Sequence, residues 1–165
     1  MARDTLKALA RRIGARLKER NLKLATAESC TGGWIAQAVT SASGSSAWFD
    51  RGFVTYSDDS KKELLGVRSR TLSRHGAVSR ETAKEMAAGA LARSRAQVAI
   101  AVTGVAGPSG GTKAKPVGTV CFAWSRKRGA MESVTRHFRG GRERVRLQSV
   151  AFALKGLLER LGDAG

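Results

Sequence analysis

The sequence is poor in the residues that most often carry acid–base, metal or redox chemistry. Only two of its 165 residues are histidine and only two are cysteine. A Ser-His-Asp triad would have to recruit His75 or His137, and His137 sits beside Phe138 in a strand-like alternation that suits a packed or solvent-facing ring. Two isolated histidines do not make a hydrolytic zinc site. Cys30 and Cys121 have no neighbour at CxxC or CxxH spacing. A chain of this length needs no disulfide staple, so both are read as reduced thiols. No metal and no cofactor are expected.

Other signals are missing as well. No apolar run approaches the roughly 20 residues of a membrane-spanning helix. Met1 to Lys7 lead straight into an amphipathic pattern, without the apolar core of a signal peptide. A soluble, cytoplasmic protein is therefore expected. The GxxxxGK[ST] spacing of a P-loop is absent, which argues against ATP hydrolysis. So are a GxSxG elbow and an SxxK motif.

Acids are few, 13 against 30 lysines and arginines, and the net charge is +17. That balance can point to nucleic acid. The cations are dispersed, however, with Arg11, Arg12, Arg16, Lys18 and Arg20 on a first helix and Arg126, Lys127 and Arg128 in a turn. Aromatics are only 5% of the chain and do not interleave with the cations as a single-strand binder requires. A solvated basic surface that attracts small anions is the preferred reading. A non-catalytic nucleotide- or nucleic-acid-binding module is the alternative.

What the chain has is a 42% hydrophobic composition built mainly on Ala, Val and Leu. That is enough for one domain over residues 1–165 with one real core. Leu6, Leu9, Ile13 and Leu17 mark a helix over 4–20 with Asp4 as its N-cap. A strand is expected at 22–26 and a helix at 34–39. A strand follows at 48–56, with Gly52 a bulge or close-packing point, then a short helix capped by Ser57 or Asp58 and ended by Gly66. Residues 67–78 read as irregular, and Ser79 caps the next helix. Gln97 to Thr103 form a continuous apolar run of the kind buried on both faces of a sheet. A hairpin, 117–124 with 131–138, and a last helix over 142–161 complete the order α-β-α-β-α-α-β-β-β-α. The expectation is a three-layer α/β/α sandwich with a mixed, mostly parallel central sheet.

The chemistry concentrates where strands end. Thr26-Ala-Glu-Ser-Cys-Thr-Gly-Gly33 gathers hydroxyls, a thiol and backbone N–H groups at a strand-to-helix turn. Glycines there let backbone approach a ligand, and helix-start amides favour developing negative charge. Tyr56 to Lys61 and Thr103 to Gly111 are the other two such stretches. With histidine set aside, lysine remains as a base. A serine can be activated by a lysine whose pKa burial lowers, but the residues alone do not choose between Lys61 and Lys62.

Eight segments in one order carry a resemblance over nearly the whole chain. They are Thr26 to Gly33, Gly52-Phe-Val-Thr-Tyr-Ser57 with Lys61, Leu65-Gly-Val67, Gly76-Ala-Val-Ser79, Thr103-Gly-Val-Ala-Gly-Pro108, Gly110-Gly-Thr112, Lys115-Pro-Val-Gly-Thr-Val120, and Phe138 with Gly140 and Arg142. Together they resemble the CinA C-terminal domain family, the nicotinamide-nucleotide amidases. The resemblance implies hydrolysis of the carboxamide of nicotinamide mononucleotide to nicotinate mononucleotide and ammonia, in pyridine-nucleotide salvage. It implies no metal, a homo-oligomer and a small-molecule pyridine nucleotide as partner. By position it makes Ser29 the nucleophile and Lys61 its base, with Tyr56 and Thr103 orienting the pair. Arg142 would approach the substrate, and Cys30, Thr31, Gly32, Gly33, Gly104 and Gly107 would line it. Cys30 is a rival nucleophile, because thiols at helix starts can ionise readily. The chain departs from the family's Gly-Asp-Arg at Gly140-Gly141-Arg142, where loss of an acid that orients Arg142 would weaken substrate binding. It also has Asp58-Asp59-Ser60 where Asn-Glu-Ala is usual. The extra N-terminal domain that some members carry, with the pyrophosphatase activity residing there, is not expected.

Overall fold

A computed structural model describes residues 2–162, apart from the side chains of Arg3 and Asp4. Its elements are α1 (Ala2–Glu19), β1 (Leu24–Glu28), α2 (Trp34–Thr40), β2 (Phe49–Val54), α3 (Asp58–Leu65), α4 (Ser69–His75), α5 (Arg80–Ala92), β3 (Val98–Gly104), β4 (Thr119–Arg126), β5 (Met131–His137) and α6 (Arg142–Arg160). The five strands form one sheet in the order β2-β1-β3-β4-β5. β1 pairs in parallel with β2 and β3, whereas β4 runs antiparallel to both β3 and β5. Four strands thus share one direction and β4 alone opposes them.

Side-chain size sorts the two faces. Along β1, β3 and β4 the large residues Leu24, Val98, Ile100, Val102, Val120, Phe122 and Trp124 fall on one face, packed against Ile13 and Leu17 of α1, Ile35 of α2 and Leu154 and Leu157 of α6. The alternate residues Ala25, Ala27, Ala99, Ala101 and Ala123 fall on the other, under Ala83, Met86, Ala87 and Ala90 of α5 and Leu65 of α3. Strands place successive side chains on opposite faces, so one continuous apolar run serves both layers. The alanine face lets α5 lie close to the sheet. Gly89 carries the economy further, since a Cβ there would stand 1.9 Å from the Leu65 carbonyl oxygen.

Several boundaries differ from expectation. The expected N-cap Asp4 falls within α1 (Ala2–Glu19), and its side chain lies outside the described residues. β1 starts at Leu24, because the Leu22 N–H is used by the Leu17 carbonyl and the Lys23 N–H by the Gln97 side chain. The irregularity in the β1–β2 ladder falls at Asp50, skipped between Leu24↔Phe49 and Ala25↔Arg51. Gly52 is instead a close-packing point, 2.7 Å from Thr26 Oγ1 to where its Cβ would be. Residues 67–78 contain the helix α4, whose start is pinned by Glu85 of α5. That carboxylate accepts from Arg68 N at 3.0 Å and from the Thr71 hydroxyl. With Leu72 as its one large apolar residue, the segment shows no helical periodicity, and only this long-range cap reveals it.

Candidate active site

β2, β1 and β3 are parallel neighbours, so their C-terminal ends lie side by side. The chain leaves β1 toward α2 on one face and leaves β2 toward α3 on the other, which opens a crevice between the departing loops. A cavity of about 350 Å³ occupies it, with Ser29, Cys30, Tyr56, Asp58, Lys61, Ala77, Val78, Thr103, Gly104 and Arg142 in its wall. A larger cavity of about 740 Å³ lies around the β4–β5 turn, away from these strand ends.

Ser29 is fixed by its own amide, which donates to Val102 O of β3 at 2.9 Å. Gly32 and Gly33 follow with φ of +60° and +99°, a left-handed conformation that glycine adopts without strain and that bends the chain into α2. Glu28, the buried last residue of β1, then caps that helix. Its carboxylate accepts from Thr31 Oγ1 at 2.6 Å, Ile35 N at 2.8 Å and Ala36 N at 3.1 Å. Burial raises the Glu28 pKa, while these donors pull it down. The helix-start amides expected to meet developing negative charge are thus already committed to Glu28. Thr31 faces the same carboxylate, and Thr31, Gly32 and Gly33 build the turn without lining the cavity.

Arg146 clamps the turn from outside. Its Nε donates to Cys30 O and its Nη2 to Thr31 O, both at 3.1 Å, and its guanidinium lies 5.5 Å from the centre of the Trp34 ring.

The lysine comes from α3, capped by the Ser57 hydroxyl accepting from Ser60 N at 3.1 Å and ended by Gly66 at φ 68°. Adjacent lysines on this helix point apart. Lys61 is 1% exposed, with Nζ 3.1 Å from Ser29 Oγ, 3.3 Å from Tyr56 O and 4.0 Å from Asp58 Oδ1. Burial lowers its pKa, and the charge of Asp58 offsets part of that. Lys62 pairs with Asp59 at 2.9 Å in solvent, and that bond raises its pKa. The geometry therefore separates the two lysines as the residues alone could not.

The remaining expected residues divide. Tyr56 meets Lys61 through its backbone carbonyl, whereas its 62% exposed ring presents the phenol oxygen to Arg142 Nη2 at 3.0 Å. Arg142 also donates from Nη1 to Gly107 O at 2.7 Å, so it spans the cavity mouth. Gly141 is the N-cap of α6 with open space where a side chain would stand, and these two neutral partners orient Arg142 in place of an acid. The Thr103 hydroxyl donates to Ala77 O at 2.9 Å, which ties β3 to the opposite wall and leaves the Ser29–Lys61 pair to itself. Gly104 is closely packed on Val120 and Thr119, and Gly107, at φ 83°, leads into a cis bond to Pro108. Cys30 borders the cavity, but burial pushes its thiol up to about 12, the opposite of what a thiolate nucleophile needs. His75 and His137 are exposed and outside this wall.

Glu28, Asp58 and Arg146 escaped the reading of the sequence as contributors to the site. Arg146 had a signal, since it follows Arg142 by four residues and so shares its helix face.

The family model described as the CinA C-terminal domain matches residues 6–161. A relative from Escherichia coli strain K12, a nicotinamide-nucleotide amidohydrolase PncC, is 49% identical over 162 residues, covering 97% of each chain. A Pseudomonas putida protein of the same name is 51% identical over 94% of this chain and 97% of its own. Among solved structures, the competence/damage inducible protein CihA from Agrobacterium tumefaciens superposes with a TM-score of 0.91 at 50% identity, over 94% of each chain.

Proposed function

This chain belongs to the CinA C-terminal domain family, and from that premise we propose that it is a nicotinamide-nucleotide amidohydrolase working through Ser29 and Lys61. It hydrolyses the carboxamide of nicotinamide mononucleotide to nicotinate mononucleotide and ammonia. The observation that carries the mechanism is the 3.1 Å approach of a buried lysine amine to a serine hydroxyl in the wall of one cavity.

Ser29 Oγ attacks the carboxamide carbon as its proton passes to Lys61 Nζ, and the carbonyl π pair moves onto oxygen. The amide of Cys30, the next residue along the chain and part of the cavity wall, is the donor we assign to that oxyanion. Collapse breaks the C–N bond, and the proton on Lys61 goes to the departing nitrogen, which leaves as ammonia. Water then attacks the acyl-Ser29 ester by the same relay, with Lys61 taking its proton and returning one to Ser29 Oγ. The pair is suited to this because the amine must be neutral to accept a proton, and burial favours the neutral amine. Arg142, across the mouth, offers its guanidinium to the anionic part of the nucleotide. Tyr56, Thr103, Gly104 and Gly107 shape the remaining wall. Cys30 contributes backbone and bulk, with its thiol protonated.

The test is ammonia release from nicotinamide mononucleotide by the purified chain. Ser29→Ala is expected to lower kcat by roughly 10³-fold or more. An undiminished rate refutes the assignment, and retention in Ser29→Ala with loss in Cys30→Ala transfers it to the thiol.

Among the described residues no helix is long and apolar enough to cross a membrane. A cytoplasmic location and the place in salvage complete the proposal. We add homo-oligomeric assembly, for which exposed Val54 on the edge strand β2 and Leu64 on α3 offer apolar surface.

A further inference from the structure

We propose that Asp58 is a positioning residue of this site, whose carboxylate receives the charge that appears on Lys61 when Ser29 attacks. The proposal rests on the reading of Lys61 as the base. Asp58 is the first residue of α3 and precedes Lys61 by three, so the two share a helix face. Both border the cavity, with Asp58 Oδ1 4.0 Å from Lys61 Nζ. Asp59 stands in the same relation to Lys62 and turns outward with it. One helical turn thus holds two acid–lysine pairs, and only one faces the substrate.

Counting donors gives the carboxylate its role. An ammonium has three N–H donors and no acceptor. Around Lys61 Nζ stand three acceptors, namely Ser29 Oγ, Tyr56 O and Asp58 Oδ1. A neutral amine awaiting the Ser29 proton needs its lone pair toward Ser29 and has only two N–H groups to place. The third acceptor is fully used only after proton transfer, and of the three only Asp58 is an acid. At 4.0 Å it stands just beyond hydrogen-bond reach, and its side chain is 60% exposed, so a small torsional change closes the gap. Asp58 takes no proton in this scheme. It stabilises the protonated lysine while the bond to substrate forms.

The other charged groups around the amine have different duties. Arg142, from α6, is turned to Gly107 O and the Tyr56 phenol. Glu28, at the end of β1, is bound to Thr31 and the α2 amides, and Arg146 to the carbonyls of Cys30 and Thr31. The Cys30 thiol is protonated through the neutral range. The wall opposite Lys61, from Ala77 and Val78 to Thr103, brings no charge.

The role has a kinetic signature. Asp58 favours the ammonium, so it lowers the fraction of neutral base at low pH while assisting the transfer once the base is free. Asp58→Asn should therefore move the acid limb of the kcat/KM profile to lower pH and lower the plateau by roughly two- to fivefold, the range for an exposed ion pair. The two profiles should cross, with the variant faster than wild type on the acid side. Asp58→Glu should restore much of the wild-type profile. Asp59→Asn, which removes the same charge from the same helix start, should leave the limb in place.

A plateau that falls while the limb stays fixed, or a profile that does not change, overturns the proposal. Melting temperatures of the variants exclude a folding defect, and Asp58→Glu keeps the test open should Asp58→Asn prove unstable. Lys61→Met separates this from the underlying reading. If that variant keeps both rate and acid limb, the assignment of the base fails. If it is inactive while Asp58→Asn leaves the limb unmoved, only the role of Asp58 fails.

Discussion

Replacing Gly89 with alanine tests whether the fold sets the distance between base and nucleophile. Gly89 lies in α5 where that helix crosses the end of α3. A Cβ there would sit 1.9 Å from the Leu65 carbonyl oxygen, 2.7 Å from its carbon and 2.9 Å from its Cα. All three are backbone atoms, so no side-chain rotation relieves the clash. The two helices must part by about 1 Å to reach the closest contact real methyl groups make. Overpacking of this kind costs about 1–3 kcal/mol, of which alanine returns about 1 kcal/mol through its helix propensity. The net loss is about 0–2 kcal/mol, which for a chain of this size lowers the melting temperature by up to roughly 8 °C.

The consequence for turnover is larger. Leu65 is one turn beyond Lys61 on an eight-residue helix, so a displaced Leu65 carries the amine with it. A misplacement of about 1 Å in a reacting pair costs on the order of 10²-fold in rate. Arg142 and Gly107 stand on α6 and the loop after β3, away from the crossing, so KM should move much less than kcat. Thermal denaturation and initial rates of ammonia release measure both. A melting temperature that rises, as helix propensity alone would give, with kcat unchanged, refutes the close α3–α5 approach and its control of Lys61.

Two further outcomes follow from burial. The pKa of Lys61 is lowered in the fold, so its contribution to stability is full above the unfolded value near 10.4 and is lost as pH falls through the folded value. Lys61→Met removes that cost and should melt higher than wild type at neutral pH while losing activity, and the difference should shrink as pH rises. The Cys30 thiol, pushed up to about 12, should resist iodoacetamide at pH 8 until the chain unfolds. Rapid alkylation blocked by substrate would contradict its burial.

The layers of this fold were legible because periodicity encodes them. Alternation along β3 and β4, the apolar stripe of α1 and the Gly66 stop all follow from local rules. The site was legible as far as chain-local signals reached. Ser29 at a strand end, Lys61 in a capped short helix and Arg142 at a helix start stand where the pattern puts them. What escaped depended on long-range partners. α4 exists because Glu85, seventeen residues after Arg68, caps its start, and the helix-start donors of α2 belong to Glu28, which strand periodicity marks only as the last residue of β1. Tyr56 illustrates the same limit within one residue, since its carbonyl serves Lys61 while its ring serves Arg142.

Lys61 and Lys62 show how little sequence separates a surface charge from a base. They are neighbours on one helix, each with an aspartate three residues earlier. About 100° of helical rotation sends one into a cavity wall and the other into water. There their pKa values shift in opposite directions, downward by burial for Lys61 and upward by the Asp59 bond for Lys62. The position of α3 decides this outcome, because its Leu65 end is packed under α5 and its Ser57 start follows directly from β2. That strand is held parallel to β1, the strand that ends at Ser29. The sheet therefore delivers both reacting groups to one crevice. Asp58, at the rim with its carboxylate in solvent, stays within reach of the amine without surrendering its hydration, so it can answer the lysine's charge without removing the burial that keeps the amine neutral enough to begin.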